Sequence, residues 1–320
     1  MKVGLYFDLR NPGRSAHSSV YERALRTCEL GEALGADSVW LSEHHGVDDG
    51  YLPQPLVFAA AVAARTTRVR VGTAATLAPL RHPVHLAEEA AVVDVISAGR
   101  LELGLGSGYL AHEYALFQTQ FEKPLKILFD KVDEVRSALR SPGLTPRPVQ
   151  PSLPLWVAGG GPRAARRTGQ AGLRLLSADR RLEAPYIEGL FEAGFDLSAA
   201  HMAGPVNIFL SEEPERVAPV VEEAYEYLWA SYNSQAVRSG ARPPAPAGAV
   251  EARAGGLDRG MRGLLIATPD HAAELVCDHY TGSNVGTVFT WAMLPGVPAE
   301  PMQRHVELWS STFRAAIEDV

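Results

Sequence analysis

Short apolar runs that suit buried strands alternate along this chain with longer segments of helical period, and that alternation is the strongest constraint on its fold. The first unit is typical: Val3 to Phe7 reads as a strand, and Val20 to Leu34 as a helix stopped by Gly35, which can take the left-handed C-terminal position. "SVWLS" from Ser38 and the helix Pro55 to Arg65 form a second unit; Val69 to Thr73 and the helix Val84 to Ser97 form a third. "LELGLG" from Leu101 precedes the helix Lys126 to Leu139, and after a Pro-rich loop "LWVA" (Leu155 to Ala158) precedes the helix Arg163 to Ala171. "LRLLS" and Ala184 to Ala193 give a sixth unit, and Val206 to Ser211 with the long helix Pro214 to Tyr232 a seventh. Val285 to Leu294 and Pro298 to Ile317 give the eighth. Eight strand–helix units in 320 residues predict an α/β fold, one (β/α)8 barrel of the TIM type spanning 1–320. The stretch 233–263, rich in Gly, Pro and Ala, interrupts the rhythm and is expected to form a lid or mobile insertion between strands seven and eight.

Composition narrows the function. The net charge of −7, without a basic patch interleaved with aromatics, argues against nucleic acid as a partner. No run reaches the roughly 18 to 20 apolar residues of a membrane helix, and "MKVGLYFDLR" lacks a signal-peptide core, so a soluble cytoplasmic protein is expected. Cys28 and Cys277, far apart and each inside a helical segment, suit a reducing compartment.

A barrel of this kind presents its chemistry at the carboxyl ends of its strands. Strand two ends in Glu43, His44 and His45, and because side chains alternate along a strand at most one of the two imidazoles faces the mouth. The later strand ends, Thr73, Gly106, Ala158, Ser177 and Ser211, offer few metal ligands, so no metal site is expected. Thr73, Ala74 and Ala75 are small enough for a flat ring to lie against the backbone. After strand five, Gly159, Gly160 and Gly161 precede Pro162 and Arg163, and free amides at such a helix start attract a phosphate. Thr268 and Pro269 mark a second helix start. Tyr6, Phe7, Tyr109 and Trp291 are candidate walls of a substrate pocket.

In order and spacing, "SVWLSEHHG", "VRVGTAATLAPLRHPVHLAEEAAVVDVISAGRLELGLGSGYLAHE", "LPLWVAGGG" and "IATPDHAAELV" resemble the bacterial luciferase-like flavin monooxygenases. The likeness is dense over Met1 to Glu113, recognisable through Gly172, and returns from Ile266 to Val320. It implies a (β/α)8 barrel that takes reduced FMN from a separate flavin reductase and forms a flavin C4a-hydroperoxide with oxygen. This would oxygenate a small organic substrate, an aldehyde or ketone. On the matching positions, His44 would be the catalytic base and partner of the peroxide. The ring would lie over a non-proline cis peptide at Ala74–Ala75, with Glu43 and Thr73 beside it, and the phosphate on Gly159, Gly160, Gly161 and Arg163. One departure stands out: Ser107 occupies the place of the family's phosphate-binding arginine. The same fold also serves deazaflavin-dependent dehydrogenases and reductases, and a flavin-binding barrel without turnover is a third reading. Barrels of this type often pair through helices beside strands two to four, where "VFAAAVAAR" and "HLAEEAAVVDV" suit a homodimer.

Overall fold

The computed structural model describes residues 1–240 and 263–318. Eight parallel strands close into a barrel: β1 (Lys2–Phe7), β2 (Ser38–Leu41), β3 (Arg70–Thr73), β5 (Leu101–Gly106), β6 (Leu155–Ala158), β7 (Arg174–Leu176), β8 (Met202–Pro205) and β11 (Val285–Trp291), with β3 pairing β5 to complete the ring. A two-residue strand, β4 (Thr76–Leu77), continues the line of β3 and pairs with the end of β5, Thr76 opposite Leu105 and Leu77 opposite Gly106. Two further strands, β9 (Ile208–Leu210) and β10 (Leu265–Ala267), pair with each other.

The seventh barrel strand is therefore Met202–Pro205 and not Val206–Ser211. The less strand-like sequence occupies the barrel because Gly204 permits close approach: a Cβ there would lie 2.2 Å from the backbone nitrogen of Ala178.

Helices cover the barrel: α1 (His17–Leu34), α2 (Pro55–Arg65), α3 (Pro83–Ile96), α4 (Ala111–Leu116), α5 (Pro124–Arg140), α6 (Pro162–Gln170), α7 (Glu183–Glu192), α8 (Pro214–Arg238), α9 (Pro269–Tyr280) and α10 (Ala299–Leu308). Their ends follow local chemistry. Gly35 closes α1 at φ +112°, Pro55 and Pro83 open α2 and α3, and Thr268 accepts a hydrogen bond from the amide of His271 to cap α9. Asn233 to Arg238, expected in an irregular insertion, instead extend α8; residues 241–262 of that stretch lie outside the described residues. Among the described residues no helix is long and apolar enough to cross a membrane.

Alternation along β1 divides two cores. Val3, Leu5 and Phe7 pack outward between barrel and helices, while Tyr6 joins Trp40, Trp156, Phe289 and Trp291 inside. Trp40 stacks on Phe289 with centroids 5.0 Å apart and meets Trp156 edge-on at 5.8 Å. Glycines make the room: a Cβ on Gly72 would lie 2.4 Å from the Trp40 ring.

Candidate active site

β2 delivers Ser42, Glu43, His44 and His45 to the mouth of the barrel, and the two imidazoles diverge there. His44 Nδ1 lies 2.9 Å from Glu113 Oε1, and the same oxygen accepts the amide N–H of His45 at 2.8 Å. Glu113 is fully buried on α4, and its Oε2 has no partner among the described residues. As a carboxylate Glu113 accepts from His44 Nδ1, and the Nε2 side of the ring stands outside this pair. The His44 ring is walled by Tyr51, Tyr109 and Tyr232, with centroids 4.9, 5.5 and 6.0 Å away.

His45 turns the other way. Its Nε2 donates to Glu43 Oε1 at 2.8 Å, and its ring packs on Phe117. Glu43 also accepts from Arg81 Nη2 at 3.1 Å and from the Leu77 amide at 3.1 Å, with no side-chain exposure. Glu43, expected beside a cofactor, has its carboxylate engaged in the wall behind the mouth. Thr73, expected beside the ring, is fully buried, and its hydroxyl donates to Gly104 O at 2.7 Å while accepting the Gly104 amide. It braces β3 against β5.

Beyond Thr73 the backbone opens. The Ala74–Ala75 bond is cis, both residues are partly exposed, and Tyr6 donates its hydroxyl to Ala74 O at 3.0 Å. A Cβ on Gly106 would sit 3.2 Å from that of Ala75 and 3.8 Å from that of Ala158, so the three positions form one shallow floor. The floor runs on into Gly159, Gly160 and Gly161. A Cβ on Gly159 would strike that of Ala164 at 2.6 Å, which marks a packing role, whereas Gly160 and Gly161 face open space. Gly161, at φ +88°, is the N-cap of α6. Arg163 is exposed and has no ion pair or hydrogen bond among the described residues, while Arg166 is held on the outer face by Glu188 and Glu192. Ser107 is half-buried and donates to Gly108 O.

Of the expected pocket walls, Tyr109 is 41% exposed beside His44, and Tyr6 and Trp291 are buried against each other with centroids 4.5 Å apart. Phe7 is corrected: it points outward and is fully buried beneath the helices. Sequence reading passed over Glu113, Tyr51, Tyr232 and a buried cation, Arg10, that ties Asp8 to Asp49. Burial, with a contribution from Tyr232, pushes the Tyr6 and Tyr51 phenols well above their ordinary range, so both remain neutral.

The architecture is that of a (β/α)8 barrel with its polar constellation at the carboxyl ends of the strands. Within that class, the sequence profile of the luciferase-like monooxygenases matches residues 1–285, and the chain belongs to that family. It is 33% identical over 115 residues to the oxygenase component of flavin-dependent trigonelline monooxygenase from Acinetobacter baylyi, covering 36% of this chain and 32% of that protein. It is 32% identical over 162 residues to the F420-dependent glucose-6-phosphate dehydrogenase of Amycolatopsis mediterranei, covering 44% and 48%. The matched stretches thus span about a third to a half of those relatives. A crystal structure of a monooxygenase from Streptomyces bottropensis superimposes with a TM-score of 0.80 at 26% identity, covering 97% of this chain and 98% of that one. Flavin-dependent monooxygenases and F420-dependent oxidoreductases both stand among the relatives, which makes the chain a member of an oxidoreductase family.

Proposed function

We propose that this chain is the oxygenase of a two-component system: it binds reduced FMN supplied by a separate reductase and oxygenates a small aldehyde or ketone. The observation that carries this reading is the His44–Glu113 pair. A buried carboxylate engages Nδ1 of the imidazole and leaves Nε2 free to hold or take a proton at the mouth.

The rest of the site is consistent with a flat, phosphate-tailed ligand. Ala74, Ala75, Gly106 and Ala158 supply a floor without protruding side chains, and the open Gly160 and Gly161 lead to the start of α6. There, the amides of the first turn of α6 and Arg163, which has no ion pair among the described residues, would receive the phosphate, in place of the family's arginine at the position of Ser107. Bound reduced flavin would supply the electrons that activate oxygen. The residues of this chain would orient it, exclude water with Tyr51, Tyr109 and Tyr232, and manage the proton at His44 Nε2.

Titration with reduced and oxidised FMN and deazaflavin, followed by oxygen uptake over a panel of aldehydes and ketones, tests the reading. His44→Ala is expected to abolish turnover while flavin binding survives; undiminished turnover would remove His44 as the base. The second reading, a deazaflavin-dependent dehydrogenase, is supported by the F420-dependent relative and predicts turnover without oxygen. We also propose a cytoplasmic homodimer joined across α2 and α3, where Val57, Val84, Val92, Val95 and Ile96 are exposed.

A further inference from the structure

We propose that Arg10 is a positioning residue for His44: it seats α8 over the barrel mouth and holds Tyr51 and Tyr232, two of the three tyrosines that wall the imidazole. The inference builds on the reading of His44 as the base of the site.

Arg10 lies just past β1, and its side chain is 1% exposed. Its Nε pairs with Asp8 at 2.9 Å and its Nη1 with Asp49 at 2.7 Å, and Nη1 also donates to the Ser231 hydroxyl on α8. The guanidinium carbon is 4.6 Å from the ring centroids of both Tyr51 and Tyr232. One planar cation thereby joins the loop after β1, the loop after β2 and the long helix, by two ion pairs, one hydrogen bond and two ring contacts. Tyr227, also on α8, donates to the same Asp49 oxygen at 2.9 Å, and the hydroxyls of Tyr51 and Tyr232 meet at 3.2 Å.

Two further ties at the C-terminal end of α8 reach the same neighbourhood. Arg238 donates to Gly46 O at 2.9 Å, one residue past His45, and Ser239 is 2.7 Å from His112, the neighbour of Glu113. The helix is therefore seated on the segments that carry the His44–Glu113 pair. With Arg10 lost, Asp8 and Asp49 become uncompensated buried carboxylates, and Tyr232 has no cation to lie against. Lysine would keep the charge but has neither the fork nor the flat face that these contacts require.

The test reads His44 directly, through its rate of acylation by diethyl pyrocarbonate followed by peptide mass spectrometry. Amide exchange over 225–238 and over Leu101–Gly106 accompanies it. In Arg10→Lys, His44 is expected to react at least tenfold faster and the α8 amides to exchange at least tenfold faster, with Leu101–Gly106 unchanged. Turnover should fall at least tenfold in kcat while flavin Kd stays within threefold. An acylation rate within twofold of wild type overturns the proposal, as does exchange in Leu101–Gly106 that rises in step with α8. Ser231→Ala removes the helix's hydrogen bond to Arg10, together with the hydroxyl's long 3.5 Å bond to Asp49, and keeps every group of the two ion pairs. It should speed acylation three- to tenfold, and no change would overturn the proposal even if the lysine variant does not fold. Should His44→Ala leave turnover undiminished, the assignment of the base falls, while acylation and exchange still decide whether Arg10 seats the helix.

Discussion

His44 and Glu113 are separated by 69 residues in the chain and by 2.9 Å in space, and the carboxylate that orients the imidazole also accepts the amide of His45. Because one oxygen does both, Glu113 holds the ring and the backbone of the strand tip together. Glu113→Gln keeps the shape and an accepting oxygen, which the His45 amide holds in place, but removes the negative charge that stabilises a positive charge developing on the ring. Turnover is expected to fall by about 10²- to 10⁴-fold, the usual weight of a positioned acid or base, with flavin affinity changed by less than about threefold. Steady-state kinetics beside a flavin titration checks this; a matched loss of binding would place Glu113 in the cofactor site instead.

Arg163 and the open glycines before it make a separate prediction. A charge-assisted hydrogen bond is worth about 1.5–3 kcal/mol, so Arg163→Ala should weaken FMN by roughly ten- to a hundredfold while leaving riboflavin, which lacks the phosphate, unaffected. Equal weakening of both ligands would move the phosphate elsewhere. Raising the salt concentration should reduce the wild-type preference for FMN and leave the variant unchanged.

The barrel was largely legible because its short apolar strand runs alternate with segments of 3.6 period whose ends Gly and Pro mark, Gly35 closing one helix and Pro55 and Pro83 opening the next two. Strand seven was not. "VNIFLS" has the better strand composition, yet the barrel uses Met202–Pro205, since closure at Gly204 is decided by the backbone of Ala178, remote in sequence. The candidate site was legible where a strand end announces a polar side chain at the mouth, at His44, and where glycines cluster before a helix, at 159–161. Glu113 and Arg10 carry no such mark: one sits on a six-residue helix, and the other takes its meaning from Asp49 and Ser231. Small-residue positions such as Thr73 suggested access, but burial turned its hydroxyl to the neighbouring strand.

The exposed apolar side chains of α2 and α3 bear on assembly. Val84, Val92, Val95 and Ile96 are spaced to share one side of α3, and Val57 on α2 is 69% exposed. A Val57→Glu, Val92→Glu double variant should shift the protein from dimer to monomer in light scattering, with its circular dichroism unchanged. A wild type that is monomeric at tens of micromolar would remove the proposed interface.

Packing inside the barrel sets a stability prediction. Gly72→Ala places a methyl 2.4 Å from the Trp40 ring, which is itself held between Phe289 and Trp156 and cannot yield freely. Overpacking of this kind costs about 1–3 kcal/mol, to be read as a lower urea midpoint at unchanged m value. Adding Trp40→Phe to the same chain should recover part of the loss, since the smaller ring vacates the contested space; no recovery would mean the strain lies in the strand backbone.

His305 gives the fold a pH dependence of definite sign. It is fully buried on α10, stacked on Phe209, and its Nδ1 accepts the amide of Leu210 at 2.8 Å; burial pushes its pKa down to about 3 from 6.5. The unfolded chain therefore binds a proton below about 6.5 that the folded chain refuses until about 3. Stability from this residue is fully present above 6.5 and declines as pH falls through that window, by about 1.4 kcal/mol per pH unit once well below 6.5. His305→Asn retains an acceptor for the Leu210 amide but cannot titrate. Between pH 7.5 and pH 5 the wild type should lose about 2 kcal/mol more than this variant in urea unfolding, because other titrating groups are common to both chains and cancel. Equal losses in the two would mean that the imidazole is protonated in the folded state, and that the Leu210 amide does not hold its Nδ1.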